Sequence, residues 1–326
     1  MIIARTIEEL EGVIAGSCVT IGNFDGVHKG HQRLIRLACS RAKAQGLLSV
    51  VVTFDPHPLR VLRNDAPPFI TLTEQKLELI SQYGPEACLL LEFNMEMAKL
   101  APEQFVQKYL IDGLNMKEMI IGYDYHLGKG RAGNFETLSK LGKDRGFTVD
   151  RLEPVSIDGA VVSSTRIRDL VQAGKVWPVR PLLGRFYQVK GEVVHGMNRG
   201  GRLLGFPTAN LKLVDELHPK PGVYAIWVEV DNEVHMGVAN IGKNPTFGND
   251  ALSVEAHLID FNGDLYGRDI RVHFVQRIRD ERKFSGIDEL KDRITKDVDL
   301  GRQILSQPEA EIRVTHADLA NETAEV

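Results

Sequence analysis

At 326 residues, 43% hydrophobic and 26% charged, the chain has ordinary globular composition and enough length for two domains, each with its own core. A formal charge of -4 gives no global attraction to nucleic acid or an anionic membrane, so an anionic ligand must be drawn by a local basic or dipolar site. Cys18, Cys39 and Cys88 form no CxxC pair, which argues against a disulfide framework or zinc knuckle, and no apolar run approaches the roughly 20 residues of a membrane span. The opening "MIIARTIEELEG" puts acidic residues where a signal peptide needs an apolar core, so a cytoplasmic location is expected.

In chain order, "SCVTIG" (17–22) predicts a buried strand and "GHQRLIRLACSRAKAQG" (30–46) an amphipathic helix. "LLSVVVTF" (47–54) predicts a second buried strand, stopped by the breaker "DPHP". The strand "ACLLLEF", the helix "APEQFVQKYLIDGL" and the strand "KEMIIG" continue the alternation. Buried strands separated by helices imply a parallel sheet covered on both faces, a Rossmann-like α/β domain. Ligands of such sheets bind at the carboxyl ends of strands, where the loops 22–31, 54–58 and 122–134 fall.

From about residue 183 the pattern becomes short, β-rich and punctuated by Gly, Asn and Asp, as in "YQVKGEVVHG" and "GVYAIWVEVDNEVHMGVANIG". That spacing predicts a small antiparallel barrel, with a helix at 287–305 packed on it. The expected domains are therefore 1–182 and 183–326, joined near "QAGKVWPVRPLLG"; the polar tail from Pro308 is left unassigned.

The stretch "GNFDGVHKGH" (22–31) admits three readings. Two histidines at a turn are commonly solvated or locally hydrogen-bonded. As zinc ligands they lack partners at a ligand spacing. The third reading uses context: a buried strand runs into a helix N-terminus, whose unpaired N–H groups and dipole favour phosphate. His28 and His31, at i and i+3, are then expected on one helix face, and Gly22, Gly26 and Gly30 let backbone approach the anion. No GxxxxGK[ST] occurs, so a P-loop is excluded.

"GNFDGVHKGH" resembles the HxGH signature of nucleotidyltransferases, in the form carried by bacterial bifunctional riboflavin kinase/FMN adenylyltransferases (FAD synthetases). The resemblance continues in order through "TFDPHP", "IGYDYHLGKGRAG", "VSSTRIRDLVQAG", "GEVVHGMNRGGRLLGFPTANL", "VANIGKNPTF" and "VEAHLIDFNGDLYG", covering about residues 15–300. It implies ATP-dependent phosphorylation of riboflavin in the second domain, then adenylylation of FMN to FAD and pyrophosphate in the first. Magnesium is the implied cation and ATP the co-substrate. The implied partners are these small molecules, without nucleic acid, membrane or an obligate protein.

The resemblance further implies that His28 and His31 contact the triphosphate, while Gly22, Asn23, Phe24 and Asp25 shape the nucleotide pocket. Ser164, Thr165 and Arg168 would meet the other side of the phosphates, although "SST" also reads as a helix N-cap. On the flavin side stand Asp124 and Phe54, Pro56, His57 and Pro58; the last four equally read as a strand terminator. Leu127 departs from the family's usual Phe.

In the second domain, Thr208 and Asn210 of "PTAN" are implied as metal ligands and Arg199 and Arg202 as phosphate contacts. Without the family, "PTAN" reads as an ordinary turn. Glu255 shares a strand face with Ser253 and His257 and matches the family's general base. Two alternatives compete: a flavin sensor with decayed catalysis, and a nucleotidyltransferase for another phosphate ester, which leaves 205–258 unexplained.

Overall fold

The computed structural model describes residues 1–195, 206–211, 213, 216–243 and 252–312. Contacts divide the chain into two units, Met1–Ser164 and Thr165–Asp318. Among the described residues no helix is long and apolar enough to cross a membrane.

The first unit is built on β1 (Ile2–Ala4), β2 (Ser17–Ile21), β3 (Leu48–Asp55), β4 (Ala87–Glu92), β5 (Met116–Gly122) and β6 (Thr148–Leu152). All pairings are parallel, in the order β1-β4-β3-β2-β5-β6. Helices α1 (Lys29–Gln45), α2 (Pro58–Leu62), α3 (Thr73–Ser81), α4 (Pro102–Phe105) and α5 (Phe135–Arg145) connect the strands. The predicted helix at 101–114 is thus α4 followed by a π-helical stretch, Val106–Asp112. A small hairpin, β7 (Ser156–Ile157) with β8 (Ala160–Val161), follows the sheet.

Alternate residues of each central strand feed two cores, as a sheet covered on both faces requires. Val19, Ile21, Val50, Val52, Leu89, Leu91, Met119 and Ile121 line one face. Cys18, Val51, Cys88, Leu90 and Ile120 line the other, against Leu34, Ile35 and Ala38 of α1. Strands β3 and β4 lie to one side of β2, and β5 and β6 to the other. The order reverses beside β2, so the loop leaving its carboxyl end, residues 22–28, sits at the topological switch point.

The second unit opens with α6 (Ser164–Gln172, its first residue belonging to the first unit) and α7 (Val179–Leu183). A closed barrel follows, made of β9 (Tyr187–Val194), β10 (Ala209–Leu211), β11 (Gly222–Val230), β12 (Glu233–Lys243), β13 (Leu252–Leu258) and β14 (Asp269–Arg279). Its order is β10-β13-β12-β11-β14-β9, every pairing antiparallel. Tyr187, Tyr224 and Phe274 fill the interior with mutual ring contacts. Helix α8 (Ile287–Leu305) packs on β11, β12 and β14, where Asp297 accepts two bonds from Arg279 Nε at 2.8 and 3.1 Å. The change of period at 183 marks where the barrel strands begin. The contacts divide the chain earlier, at 164/165, and so place α6 and α7, with buried Val171, Val179, Leu182 and Leu183, in the second unit.

Candidate active sites

The loop between β2 and α1 departs sharply from ordinary backbone. Phe24, Gly26 and Val27 all have positive φ, at 51°, 86° and 38°. Such geometry persists only where surrounding contacts over-determine it. Asp25 supplies them: its carboxylate, 3% exposed, accepts the amides of Ile70 (3.0 Å) and Thr71 (3.1 Å). Gly26 N–H donates to Thr71 Oγ1 at 3.0 Å, and a Cβ at Gly26 would press on Ile70. Gln32, whose role the sequence did not reveal, donates from Nε2 to Val27 O at 2.8 Å. Asp25 is therefore the latch that shapes the loop.

His28 is not on the helix face that the i, i+3 spacing predicts. It is the N-cap of α1, in extended backbone, and its Nδ1 accepts the amide of His31 at 3.3 Å. The two imidazoles stack at 3.6 Å between centroids, with planes 16° apart. Phe24, fully buried, meets His31 edge-on at 5.2 Å and so shapes the site from beneath. His31 Nδ1 is buried with no hydrogen-bond partner among the described residues. Burial, then the proximity of His28 and Lys76, hold the His31 imidazole neutral, well below its ordinary range.

Gly22 donates its N–H to Val52 O at 3.1 Å, and Asn23 O accepts from Thr53 Oγ1 at 3.3 Å. A small cavity of about 50 Å³ is lined by Asn23, Asp25, His57, Thr71, Thr73 and Lys76, among others. Lys76, one of the residues missed in the sequence, is 5% exposed and donates to Phe54 O at 2.9 Å. Burial lowers its pKa, while Asp25 and Asp55 favour its charge. On the flavin side, His57 caps α2 by accepting Leu59 N–H at 3.1 Å, Pro56 follows the cis Asp55–Pro56 bond, and Pro58 opens α2. Phe54 is buried in the core beside Phe93 and Phe105, and Leu127 is buried there too. Asp124 is exposed just beyond β5. Ser164 Oγ donates to Asp25 O at 2.9 Å, adding a further tie to the loop; Thr165 and Arg168 follow on α6, in the second unit.

In the second unit, Asn210 on β10 is the register partner of Glu255 on β13, so the two side chains share a face of the barrel wall. Ala209, Leu211, Val254 and Ala256 on the other face are buried; Asn210 is buried as well, and Glu255 is half-buried. Burial, then Glu281, raises the Glu255 pKa. Thr208, half-buried, lines a cavity of about 290 Å³ with Leu258, Phe261, Asp264 and Tyr266, among others. Arg199 and Arg202 lie outside the described residues. The segment 277–284 is the end of β14 and the loop beyond it, with Arg279 clamped on Asp297.

Comparison with known proteins bears on both units. The family model for FAD synthetase matches residues 11–166 and that for riboflavin kinase matches residues 183–305. The chain is similar to the bifunctional riboflavin kinase/FMN adenylyltransferase of Pseudomonas fluorescens, 37% identical over 93% of this chain and 98% of that one. The protein so named in Bacillus subtilis is 42% identical over 87% and 90%, and that of Escherichia coli K12 is 36% identical over 91% and 96%. A crystal structure described as a macrolide-efflux protein from Streptococcus pneumoniae matches with a TM-score of 0.82 at 33% identity, over 92% of this chain and 98% of that one.

Proposed function

The chain belongs to the bifunctional riboflavin kinase/FMN adenylyltransferase family, and from that premise we propose that each unit carries one activity through the residues described above. The protein phosphorylates riboflavin with ATP to FMN and adenylylates FMN with ATP to FAD and pyrophosphate. What carries the assignment of sites is the pairing of two arrangements in one chain: stacked histidines at a helix N-terminus on the switch point, and a carboxylate beside Asn210 on the barrel wall.

In adenylylation, an oxygen of the FMN phosphate attacks the α-phosphorus of ATP, and the bond to the β-phosphate oxygen breaks. Little covalent work falls to the protein, so positioning and charge stabilisation dominate. His28 and His31 donate to the triphosphate and departing pyrophosphate beside the positive end of α1. Asn23 borders the nucleotide, Ser164, bonded to the loop at Asp25 O, stands on the phosphate side, and Asp124 with His57 faces the flavin.

In the kinase, Glu255 takes the proton of the riboflavin 5'-hydroxyl as its oxygen attacks the γ-phosphorus and ADP leaves. Thr208 and Asn210 fit magnesium: both are neutral oxygen donors, and one stands beside a carboxylate. When bound, the cation neutralises charge on the phosphates. The cavity beside Thr208, lined by Phe261 and Tyr266, suits the nucleoside of ATP. The charge of -4 supports the same reading's lack of attraction to nucleic acid and anionic membrane, and the reading includes a cytoplasmic setting without an obligate protein partner.

The test is chromatography of flavins after incubating the protein with riboflavin, ATP and magnesium. FMN and then FAD should form, and supplied FMN should give FAD without riboflavin. A His28 variant that loses FMN formation and keeps FAD formation would reverse the assignment.

A further inference from the structure

Strand register extends the kinase site beyond the residues so far assigned. Glu255 pairs with Asn210 on one side and with Asn240 of β12 on the other. Asn240 in turn pairs with Val223 of β11, and Val223 with Arg279 of β14. Register partners share a face, so Asn210, Glu255 and Asn240 form one polar row across adjacent strands. Neighbouring strands lie about 4.8 Å apart. Asn240 therefore flanks Glu255 on the side away from Asn210, at the reach of roughly three carbon–carbon bonds of about 1.5 Å each.

Two details show that this flank is built. Glu281 places its carboxylate in the space that a Cβ at Gly242 would need, and the same Cβ would lie 3.2 Å from Asn240 Nδ2. Glycine at 242 leaves room for both that carboxylate and that amide on the flank of Glu255. The loop bearing Glu281 is fixed in turn: Arg279 holds buried Asp297 of α8 through Nε, and its Nη1 donates to Asp280 O at 2.9 Å. No side-chain hydrogen bond engages the Asn240 amide among the described residues.

We propose that Asn240, backed by Glu281, hydrogen-bonds a secondary hydroxyl of the alcohol substrate's polyol chain, selecting a hydroxylated side chain over a bare alkyl alcohol. The inference rests on the kinase reading: if phosphates lie toward Asn210 and the reacting hydroxyl at Glu255, the next carbons of the chain run over Asn240. A buried amide left without its hydroxyl partner discriminates far more strongly than an apolar pocket does.

The experiment measures kcat/KM of the full-length protein for riboflavin and for an analogue whose isoalloxazine carries an unsubstituted 5-hydroxypentyl chain. Wild type should favour riboflavin by about 10-fold or more. Asn240→Ala should lose most of that preference by falling on riboflavin alone, with FAD formation from supplied FMN unchanged. Should Asn240→Ala not fold, Asn240→Val, which favours the strand and lacks the amide, carries the same test, with the fall again confined to riboflavin. Equal falls on both alcohols, or no change on either, overturn the proposal. A wild type that phosphorylates neither alcohol overturns the kinase reading instead.

Discussion

His28 accepts the backbone N–H of His31 on Nδ1 at 3.3 Å, while the two imidazoles stack at 3.6 Å. One nitrogen of His28 is thereby committed as an acceptor, so the neutral ring carries its proton on Nε2. The residue both caps α1 and presents a donor, and substitution can separate the two. His28→Asn keeps an N-cap, whereas His28→Ala loses it at a cost of about 1 kcal/mol. Both should lower FMN adenylylation about 100- to 1,000-fold. Only the alanine variant should lower the melting temperature, and riboflavin phosphorylation should survive in both. An active His28→Asn enzyme would show that capping was the whole role.

Lys76 sits buried between the end of β3 and the loop that Asp25 latches. Lys76→Met preserves length and removes the cation that stands near Asp25 and Asp55. The loop bearing His28 should shift, and misplacement near 1 Å costs on the order of 100-fold. We expect FMN adenylylation to fall about 10- to 100-fold with kinase turnover intact. Unchanged adenylylation in a folded variant would relegate Lys76 to packing.

Residues whose placement follows from chain periodicity were legible in the sequence. Buried runs such as Ser17–Ile21 and the break near 183 predict the sheet and barrel, because burial on two faces or one writes itself into hydrophobic spacing. The switch-point loop was legible as a place because glycines between a buried strand and an amphipathic helix mark the connection at the strand's carboxyl end. Lys76 was not: a lysine in "TEQKLELI" reads as a solvated helix face, and only the tertiary approach of β3 and Asp25 encloses it. Nor was Asn240, since "VANIG" reads simply as strand and its neighbour across the sheet depends on register. His28 as a cap, in place of a helical residue, turns on one backbone ψ that spacing does not encode.

Glu255 stands between Asn210 and Asn240 in the polar row. Glu255→Gln keeps the shape and removes the base, so riboflavin phosphorylation should fall about 100- to 10,000-fold. FAD formation from supplied FMN should persist. Kinase turnover within a few-fold of wild type would move the base elsewhere.

Glu216 is 5% exposed. Burial pushes its pKa up to about 8, the Lys190 backbone amide offsetting part of the effect. The unfolded chain releases this proton near the ordinary value of 4.5 and the folded chain only near 8. Over that window the native state binds more protons, so stability falls as pH rises. A tenfold change in proton affinity is worth about 1.4 kcal/mol, which bounds the loss at on the order of 5 kcal/mol. Both tryptophans, Trp177 and Trp227, belong to the second unit, so fluorescence during urea unfolding reports on it. Glu216→Gln should flatten the wild-type decline in urea midpoint between pH 5 and pH 8. Parallel declines in both proteins would place the titrating group elsewhere.

The two activities should be physically separable, and the place to cut follows from packing. Chain periodicity changes at 183, yet the segment of α6 and α7, in which Val171, Val176, Val179, Leu182 and Leu183 are buried, belongs to the second unit. Lys220 N–H donates to Val171 O at 3.3 Å. Gly174, with φ of +74°, approaches so closely that a Cβ there would lie 2.8 Å from Arg277 Cδ on β14. Arg180 also bonds the carbonyl of Glu309, tying α7 to the chain beyond α8. Each of those aliphatic side chains is worth about 1.5–3 kcal/mol when fully buried, a sum comparable to a domain's whole stability of about 5–15 kcal/mol. A fragment 165–326 should therefore fold and convert riboflavin to FMN without making FAD, since His28 and His31 are absent. A fragment 183–326 should melt well below it and express poorly, although any folded fraction should form FMN. Circular dichroism melts and chromatography of flavin products decide the matter. Equal stability of the two fragments would mean that α6 and α7 merely lie on the barrel, and a folded 165–326 fragment making no FMN would mean that the kinase needs residues of the first unit.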